Sequence, residues 1–172
     1  MATAYVALGS NLGNRRANLH MALRGITRMA RVEAVSSLYE TEPEGPPQPK
    51  YYNGVCGIET GLSPESLIRF LQGLEHEIGR RPTPEPMSPR VIDLDLLLYD
   101  DRQIDEAGLT VPHPRMAARS FVMAPLAEIT PEITVGGRAA MEIARELGRD
   151  GIEVVAEAGW DGVVASAQDV LL

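Results

Sequence analysis

Cysteine and lysine are nearly absent from this 172-residue chain, which has one of each, Cys56 and Lys50. A single cysteine cannot form an internal disulfide and no redox motif surrounds it, so we expect a cytoplasmic protein. No apolar run reaches the roughly 18 residues of a membrane-spanning helix, and we expect no membrane partner. The N-terminus also lacks the basic region and long apolar core of a signal peptide.

Positive charge is scarce overall, and the formal net charge is −8. A general nucleic-acid binder needs a positive excess to replace counterions, so we expect no nucleic-acid partner. The arginines are nevertheless clustered between residues 80 and 119: Arg80, Arg81, Arg90, Arg102, Arg115 and Arg119. Guanidinium groups bind phosphate oxygens bidentately, so this cluster predicts a polyphosphate site. A codon bias toward arginine explains the scarcity of lysine but not the clustering.

Residues 89–99 contain an apolar strand that carries two acids. Alternation with a period of two places Asp93 and Asp95 on one face and puts four apolar residues on the other: Ile92, Leu94, Leu96 and Leu98. Two carboxylates about 6.5 Å apart at the backbone can hold one divalent cation or bridge two, and oxygen ligands favour magnesium or manganese. Without a cation they repel, and one is expected to take up a proton. The alternative is a strand with one solvated face.

The order of the predicted elements is strand, helix, strand, strand, helix, strand. The strands are expected at residues 3–8, 31–39, 51–60 and 92–98, and the helices at 15–30 and 64–78. This order predicts an α+β fold, the ferredoxin-like split βαβ sandwich, with a mainly antiparallel sheet and both long helices on one face. A short strand at 109–111 in a hairpin, a helix at 139–147 and a strand at 152–156 follow. We expect one domain over residues 1–156 and a peripheral C-terminal extension over 157–172, poorly ordered at its last residues.

Several local patterns leave their role open. The proline-rich loop at residues 40–50 is a mobile wall of a binding site or a solvated connection. A second proline-rich loop at 80–89 leads into the aspartate strand, and both loops are expected to surround the open side of the sheet with that strand. Tyr51 and Asn53 at a strand start could bind a flat heterocycle or be ordinary strand residues. Gln72 and Glu75 form a polar pair typical of an exposed helix face. His113 is a structural histidine or a phosphate donor.

Four segments resemble the 6-hydroxymethyl-7,8-dihydropterin pyrophosphokinase family. They are Val-Ala-Leu-Gly-Ser-Asn-Leu at residues 6–12, Ser-Ser-Leu-Tyr-Glu-Thr-Glu-Pro at 36–43, Pro-Arg-Val-Ile-Asp-Leu-Asp-Leu at 89–96, and Leu-Thr-Val-Pro-His at 109–113 with Arg-Ser-Phe at 119–121. The resemblance implies a single pyrophosphokinase domain over residues 1–156. The implied reaction is transfer of diphosphate from ATP to the hydroxymethyl group of 6-hydroxymethyl-7,8-dihydropterin, which releases AMP in folate biosynthesis.

The resemblance also implies roles for individual residues. Two magnesium ions would be held by Asp93 and Asp95, which with Arg80 and Arg90 form the catalytic set. The residues that would bind ATP are Gln72, Glu75, Arg90, Leu96, Thr110, His113 and Arg119. The residues that would bind the pterin are Thr41, Pro43, Tyr51, Asn53, Asp93 and Phe121, with Tyr51 and Phe121 on the two faces of the ring. The implied partners are these two small molecules, and separate folate-pathway enzymes remain open as partners.

The chain departs from the family pattern at three positions. The family often has a basic residue and then Trp-Gly before the Pro-Arg element, where this chain has Thr83 and then Met87-Ser88, and it commonly has tyrosine at Pro114. We expect these changes to affect loop closure and ATP affinity more than metal binding. Two alternatives stay open: a non-catalytic pterin-binding or nucleotide-binding homologue, and another magnesium-dependent phosphotransferase that acts on a related alcohol.

Overall fold

The computed structural model describes residues 1–156 and Trp160. Its strands are β1 (Ala2–Ser10), β2 (Ala30–Val35), β3 (Leu38–Thr41), β4 (Tyr51–Thr60), β5 (Asp93–Tyr99), β6 (Ile104–Glu106), β7 (Leu109–Val111), β8 (Thr134–Val135), β9 (Arg138–Ala139) and β10 (Ile152–Ala156). Its α-helices are α1 (Arg15–Ile26), α2 (Pro64–Ile78), α3 (Ser120–Ile129) and α4 (Ala140–Leu147), and a short 3₁₀ helix spans Met116–Ala118.

A six-stranded antiparallel sheet is the centre of the fold. Its order is β10-β3-β4-β1-β5, and β2 also pairs with β4. The predicted second strand is therefore two strands, interrupted at Ser36 and Ser37, that lie along the same partner. With β2 and β3 counted as one strand, the order is that of the ferredoxin-like split βαβ sandwich, so the predicted α+β fold is confirmed.

Local sequence signals set the ends of the two long helices. The Asn14 side chain accepts a hydrogen bond from the Ala17 backbone N–H (3.0 Å) and begins α1, and Ser63 does the same for Ser66 (3.2 Å) at α2. Gly79 ends α2 with a φ of 128°, where a side chain would be strained. The end predicted for α1, residue 30, is wrong, because Ala30 already pairs with Thr60 in the sheet.

Helices cover both faces of the sheet. Leu19 and Leu23 of α1 and Leu67 and Leu71 of α2 pack in one apolar core, which confirms that both long helices share a face. The opposite face is covered by α3 and α4 in a second core. The sequence interpretation did not include α3, because Pro125 lies inside that helix and proline usually argues against helix.

A β-bulge changes the side-chain pattern of β5. Val6 pairs with Leu96, whereas the preceding Tyr5 pairs with Leu98, so Leu97 is the extra residue. Leu94, Leu96 and Tyr99 pack in the core under α1 and α2, whereas Leu97 and Leu98 pack in the other core. The prediction that Leu98 shares a face with Ile92 is therefore wrong. The two aspartates precede the bulge and keep their predicted face.

The later elements extend this frame. Strand β7 is present as predicted and pairs with β6 in a separate two-stranded sheet. The predicted strand at 152–156 is confirmed as β10, which pairs with β3 at the sheet edge. Trp160 is fully buried, stacks on His20 (5.9 Å between ring centroids) and donates from Nε1 to the Ser36 carbonyl oxygen (2.9 Å). The rest of the extension, 157–159 and 161–172, lies outside the described residues.

None of the helices in the described part of the chain has the length and apolar character needed to cross a bilayer.

Candidate active site

A cleft of about 540 Å³ opens on the sheet face opposite α1 and α2. Nine of the predicted site residues line it: Thr41, Tyr51, Asn53, Arg90, Asp93, Asp95, His113, Arg119 and Phe121. They come from β3, β4, β5 and the segment just before it, the turn after β7 and the start of α3, so chain segments far apart in sequence meet here. The volume is typical of a small-molecule site.

The two aspartates lie at the open end of β5. Asp93 pairs with Gly9 and Asp95 with Ala7 on β1, so the residues opposite the acids are small. A Cβ at Gly9 would lie 2.6 Å from Asn53 Oδ1, which is too close for two non-bonded atoms. The glycine of the Gly-Ser-Asn-Leu segment therefore makes room for the side chain of Asn53.

Two arginines hold Asp93 in place. Its Oδ1 lies 3.1 Å from Arg80 Nη1 and 3.2 Å from Arg90 Nη1. Arg90 is in turn fixed by Asn11, whose Oδ1 accepts the Arg90 backbone N–H (2.7 Å) and whose own N–H donates to the Arg90 carbonyl oxygen (3.0 Å). Cationic groups already oriented at a carboxylate are well placed to receive phosphate oxygens.

Glu75 supports this arrangement from α2. Its Oε2 accepts the Leu94 backbone N–H (2.9 Å) and pairs with Arg80 Nη1. Since β5 is the last strand in the sheet order, Glu75 satisfies a backbone donor that no strand pairs with. Burial raises the pKa of the Glu75 carboxyl. The interpretation of Gln72 and Glu75 as an exposed pair is wrong for Glu75, which is buried, and right for Gln72.

The positive groups around Asp93 and Asp95 do not fully balance the negative charge of the two carboxylates, and the pKa of Asp95 is raised. Burial, and then the charges of Asp93 and Glu75, raise the pKa of Asp95 to about 7, although Arg119 and Arg90 act in the opposite direction. This agrees with the expectation that one of two adjacent carboxylates takes up a proton. A bound cation would remove the repulsion that favours that proton.

His113 lies at this site with a lowered pKa, which favours the neutral ring. Burial, and then the charge of Arg119, lower its pKa. Its Nδ1 accepts the Arg115 backbone N–H (3.2 Å), so in the neutral ring the proton lies on Nε2. His113 lines the cleft, and its role as a phosphate donor stays a prediction.

The aromatic end of the cleft is built by β3, β4 and α3. Tyr51 and Phe121 both line it. Asn53 Nδ2 donates to Thr41 Oγ1 (2.7 Å), which fixes the amide plane with its oxygen toward Gly9. Burial and the charge of Asp93 raise the pKa of Tyr51, so its hydroxyl keeps its proton at neutral pH.

Six predicted site residues do not line the cleft. Arg80 and Glu75 reach it through the contacts described above. Gln72 and Thr110 are exposed on α2 and β7, Leu96 packs in the core under α1 and α2, and Pro43 lies between two residues that do line the cleft. Roles in binding for Gln72, Leu96, Thr110 and Pro43 stay predictions.

The predicted site set left out several residues that line the cleft, among them two in each proline-rich loop. Glu42 and Glu44 of the first proline-rich loop line it, as do Pro86 and Met87 of the second. Gln48 connects the two loops, because its Nε2 donates to the Met87 carbonyl oxygen (2.7 Å), and its Oε1 accepts from Asn11 Nδ2 (2.9 Å). Both loops thus line the site, which for the loop at residues 40–50 agrees with the first of its two interpretations. Asn11 lies in a segment already singled out, whereas nothing in the sequence distinguished the two glutamates or Gln48.

The donor set suits a hard cation that keeps other ligands. Within residues 1–156 and Trp160, no group of three or more His, Cys, Asp or Glu side chains could hold a metal. Two adjacent carboxylates without a third protein ligand are typical of magnesium sites completed by substrate phosphates and water. The pair therefore fits a cation that binds together with a phosphorylated substrate.

An α+β sandwich whose cleft combines an acid pair with arginines is typical of an enzyme that transfers a phosphate-containing group. The model of the 7,8-dihydro-6-hydroxymethylpterin-pyrophosphokinase (HPPK) family matches residues 5–131. The chain belongs to this family.

Relatives agree with this placement. The 2-amino-4-hydroxy-6-hydroxymethyldihydropteridine pyrophosphokinase of Synechocystis sp. is 44% identical over 131 residues, which cover 75% of this chain and 67% of the relative. The enzyme of the same name from Pseudomonas aeruginosa is 43% identical over 132 residues, 75% of this chain and 81% of the relative.

A solved structure shares the fold. The crystal structure of Plasmodium falciparum HPPK-DHPS with pterin and p-hydroxybenzoate matches with a TM-score of 0.68 at 15% identity. The match covers 84% of this chain and 41% of that longer chain.

Proposed function

We propose that this chain transfers diphosphate from ATP to the hydroxymethyl group of 6-hydroxymethyl-7,8-dihydropterin, giving AMP and the pterin diphosphate in folate biosynthesis. Membership of the family supports this reaction. The single structural observation that carries it is the Asp93–Asp95 pair, in which Asp93 contacts two arginines, in a cleft that also holds aromatic side chains. Such a site can bind a polyphosphate next to a flat ring.

Asp93 and Asp95 would hold two magnesium ions. Magnesium held there would supply positive charge that neutralises the phosphates during displacement at the β-phosphorus. The carboxylates must be deprotonated for this, and Asp95 gives up its proton when a cation binds. Arg80 and Arg90 remain within reach of Asp93 and of any phosphate bound beside it.

The chain's own groups position the phosphates. Arg90 and Arg119 bind phosphate oxygens from two sides of the cleft, and Arg80 joins them from its place against Glu75. His113 donates a hydrogen bond from Nε2. Glu75 acts through Arg80, and Gln72, Leu96 and Thr110 surround the rest of the nucleotide.

The pterin lies at the aromatic end. Tyr51 and Phe121 stack on its two faces, and the amide of Asn53, fixed by Thr41, reads its edge. Asp93 borders both substrates. Pro43 and the two proline-rich loops cover the ring and exclude water, which would otherwise compete with the hydroxymethyl group as acceptor.

Product analysis by phosphorus NMR tests the proposal. Purified protein is mixed with magnesium, ATP and the pterin, and Asp95→Asn is compared with Asp101→Asn, which removes an exposed carboxylate. We expect AMP and a pterin diphosphate from the wild type and Asp101→Asn, and neither product from Asp95→Asn.

Two other results would replace the proposal. Intact ATP with calorimetric binding of the pterin would indicate a non-catalytic binding protein. Diphosphate transfer to another alcohol but not to this pterin would indicate a different phosphotransferase.

A further inference from the structure

Glu44 forms an ion pair with Arg119, one of the arginines that line the cleft. Glu44 Oε1 lies 3.0 Å from Arg119 Nε. Arg119 is largely buried, with 17% of its side chain exposed, whereas 46% of the Glu44 side chain is exposed. A solvent-facing carboxylate thus covers a guanidinium that points into the cleft.

Glu44 lies on a loop that is linked to the second wall of the cleft. This first proline-rich loop is joined to the second by Gln48, whose Nε2 donates to the Met87 carbonyl oxygen (2.7 Å). Gly45, next to Glu44, packs so closely on Met87 that a Cβ at Gly45 would lie 2.9 Å from Met87 Cβ. Glu44 is therefore adjacent in the chain to the contact between the two loops.

We propose that Glu44 is an internal competitor for the phosphate-binding position at Arg119 and thereby lowers affinity for the nucleotide. The inference rests on the proposed function, which assigns Arg119 to the ATP phosphates. A phosphate group carries more charge than a carboxylate, and a half-exposed ion pair contributes little, so ATP can displace Glu44. Displacement frees the loop from Arg119 and loosens its packing on Met87.

Glu42 provides a matched control. It lies on the same loop and lines the same cleft, but its Oε1 pairs with Lys50 Nζ (3.4 Å) instead of Arg119. Glu42→Gln and Glu44→Gln remove the same charge at nearly the same place. Only Glu44→Gln removes competition for Arg119.

Calorimetry with magnesium and a non-hydrolysable ATP analogue measures the effect. We expect Glu44→Gln to bind the analogue about two- to fivefold more tightly than wild type, the range for an exposed ion pair, and Glu42→Gln to bind it as wild type does. Unchanged affinity in Glu44→Gln, or an equal gain in both variants, would overturn the inference.

Arg119→Gln separates this inference from the proposed function. If Arg119 binds ATP, Arg119→Gln weakens binding of the analogue, and adding Glu44→Gln to it gives no further gain. Analogue affinity equal to wild type in Arg119→Gln would instead remove Arg119 from the proposed site. Weakened binding in Arg119→Gln together with no effect of Glu44→Gln alone would remove only the role of Glu44.

Hydrogen exchange provides a second readout that does not depend on affinity. Glu44→Gln should speed exchange at the Gly45 and Gln48 amides, and the analogue should do the same in wild type, because both release the loop. Exchange that slows or stays constant in Glu44→Gln would contradict the inference that the ion pair with Arg119 restrains the loop.

Discussion

Replacing Asp95 by asparagine should stabilise the protein at high pH. Burial, and then the charges of Asp93 and Glu75, raise the pKa of Asp95 from 3.8 to about 7. A carboxyl whose pKa is higher in the folded state stabilises the protein fully below its unfolded pKa, and this contribution is lost as the pH rises through the folded pKa. Asparagine keeps the shape of the protonated acid and does not ionise, so it avoids that loss.

The size of the effect follows from the shift. One pKa unit corresponds to about 1.4 kcal/mol, so a shift of about three units sets an upper limit of about 4 kcal/mol above pH 7. The stabilisation is lost gradually between the unfolded and the folded pKa, so about two of the three units are lost between pH 5 and pH 7. The cleft is open to solvent, which screens part of the repulsion. We therefore expect the advantage of Asp95→Asn over wild type to grow by about 1 to 2 kcal/mol between pH 5 and pH 8.

Urea unfolding in EDTA at pH 5 and pH 8 measures this advantage. Asp101→Asn is the control, since it removes one negative charge from an exposed position. A gain in free energy of unfolding that is the same at both pH values, or that Asp101→Asn reproduces, would refute the explanation by burial and like charge.

Three other predictions follow from the same geometry. Trp160→Ala should lower the free energy of unfolding by about 3 to 4 kcal/mol in urea titrations, because the indole is fully buried and hydrogen-bonded to Ser36, and a cost below about 1 kcal/mol would contradict this packing. Glu75→Ala should lower the free energy of unfolding by about 1 to 3 kcal/mol, because it leaves the Leu94 N–H unpaired. Glu75→Gln should retain most of the stability but weaken nucleotide binding through Arg80, and equal stability of the two variants would contradict this role of Glu75. Magnesium affinity, measured by calorimetry, should rise from pH 5 to pH 7 in wild type as the proton leaves Asp95, and the reverse trend would exclude that competition.

Much of the fold is encoded in short-range patterns, which is why the sequence predicts it. The caps at Asn14 and Ser63 set where the long helices begin, and the period of two in β5 placed both aspartates on one face. Helix α3 escaped prediction because Pro125 breaks the helical pattern, while tertiary packing against β4 and α4 stabilises the helix all the same. Local propensity does not contain that packing.

The candidate site, like the fold, has one part that the sequence predicts and another part that only the structure shows. Asp93, Arg90 and His113 lie in segments whose residue order carries the resemblance, so the sequence located them. The resemblance named Glu75, but not its contact with the Leu94 N–H, and nothing in the sequence indicated the pairing of Glu44 with Arg119. A pairing between a helix and an edge strand, or between a loop and a buried arginine, appears only when the sheet brings the segments together.

The bulge in β5 links the fold to the chemistry of the site. Strict alternation would place Leu97 and Tyr99 on the face that holds the aspartates. The extra residue instead turns Leu97 and Leu98 into the core under α3 and α4, and Tyr99 into the core under α1 and α2. The acid face therefore stops at Asp95 and continues as packed apolar surface. Asp95 lies at that boundary, where burial is the main cause of its raised pKa. The β-bulge thus places Asp95 next to packed apolar side chains. There its negative charge is balanced either by a proton or by a bound cation.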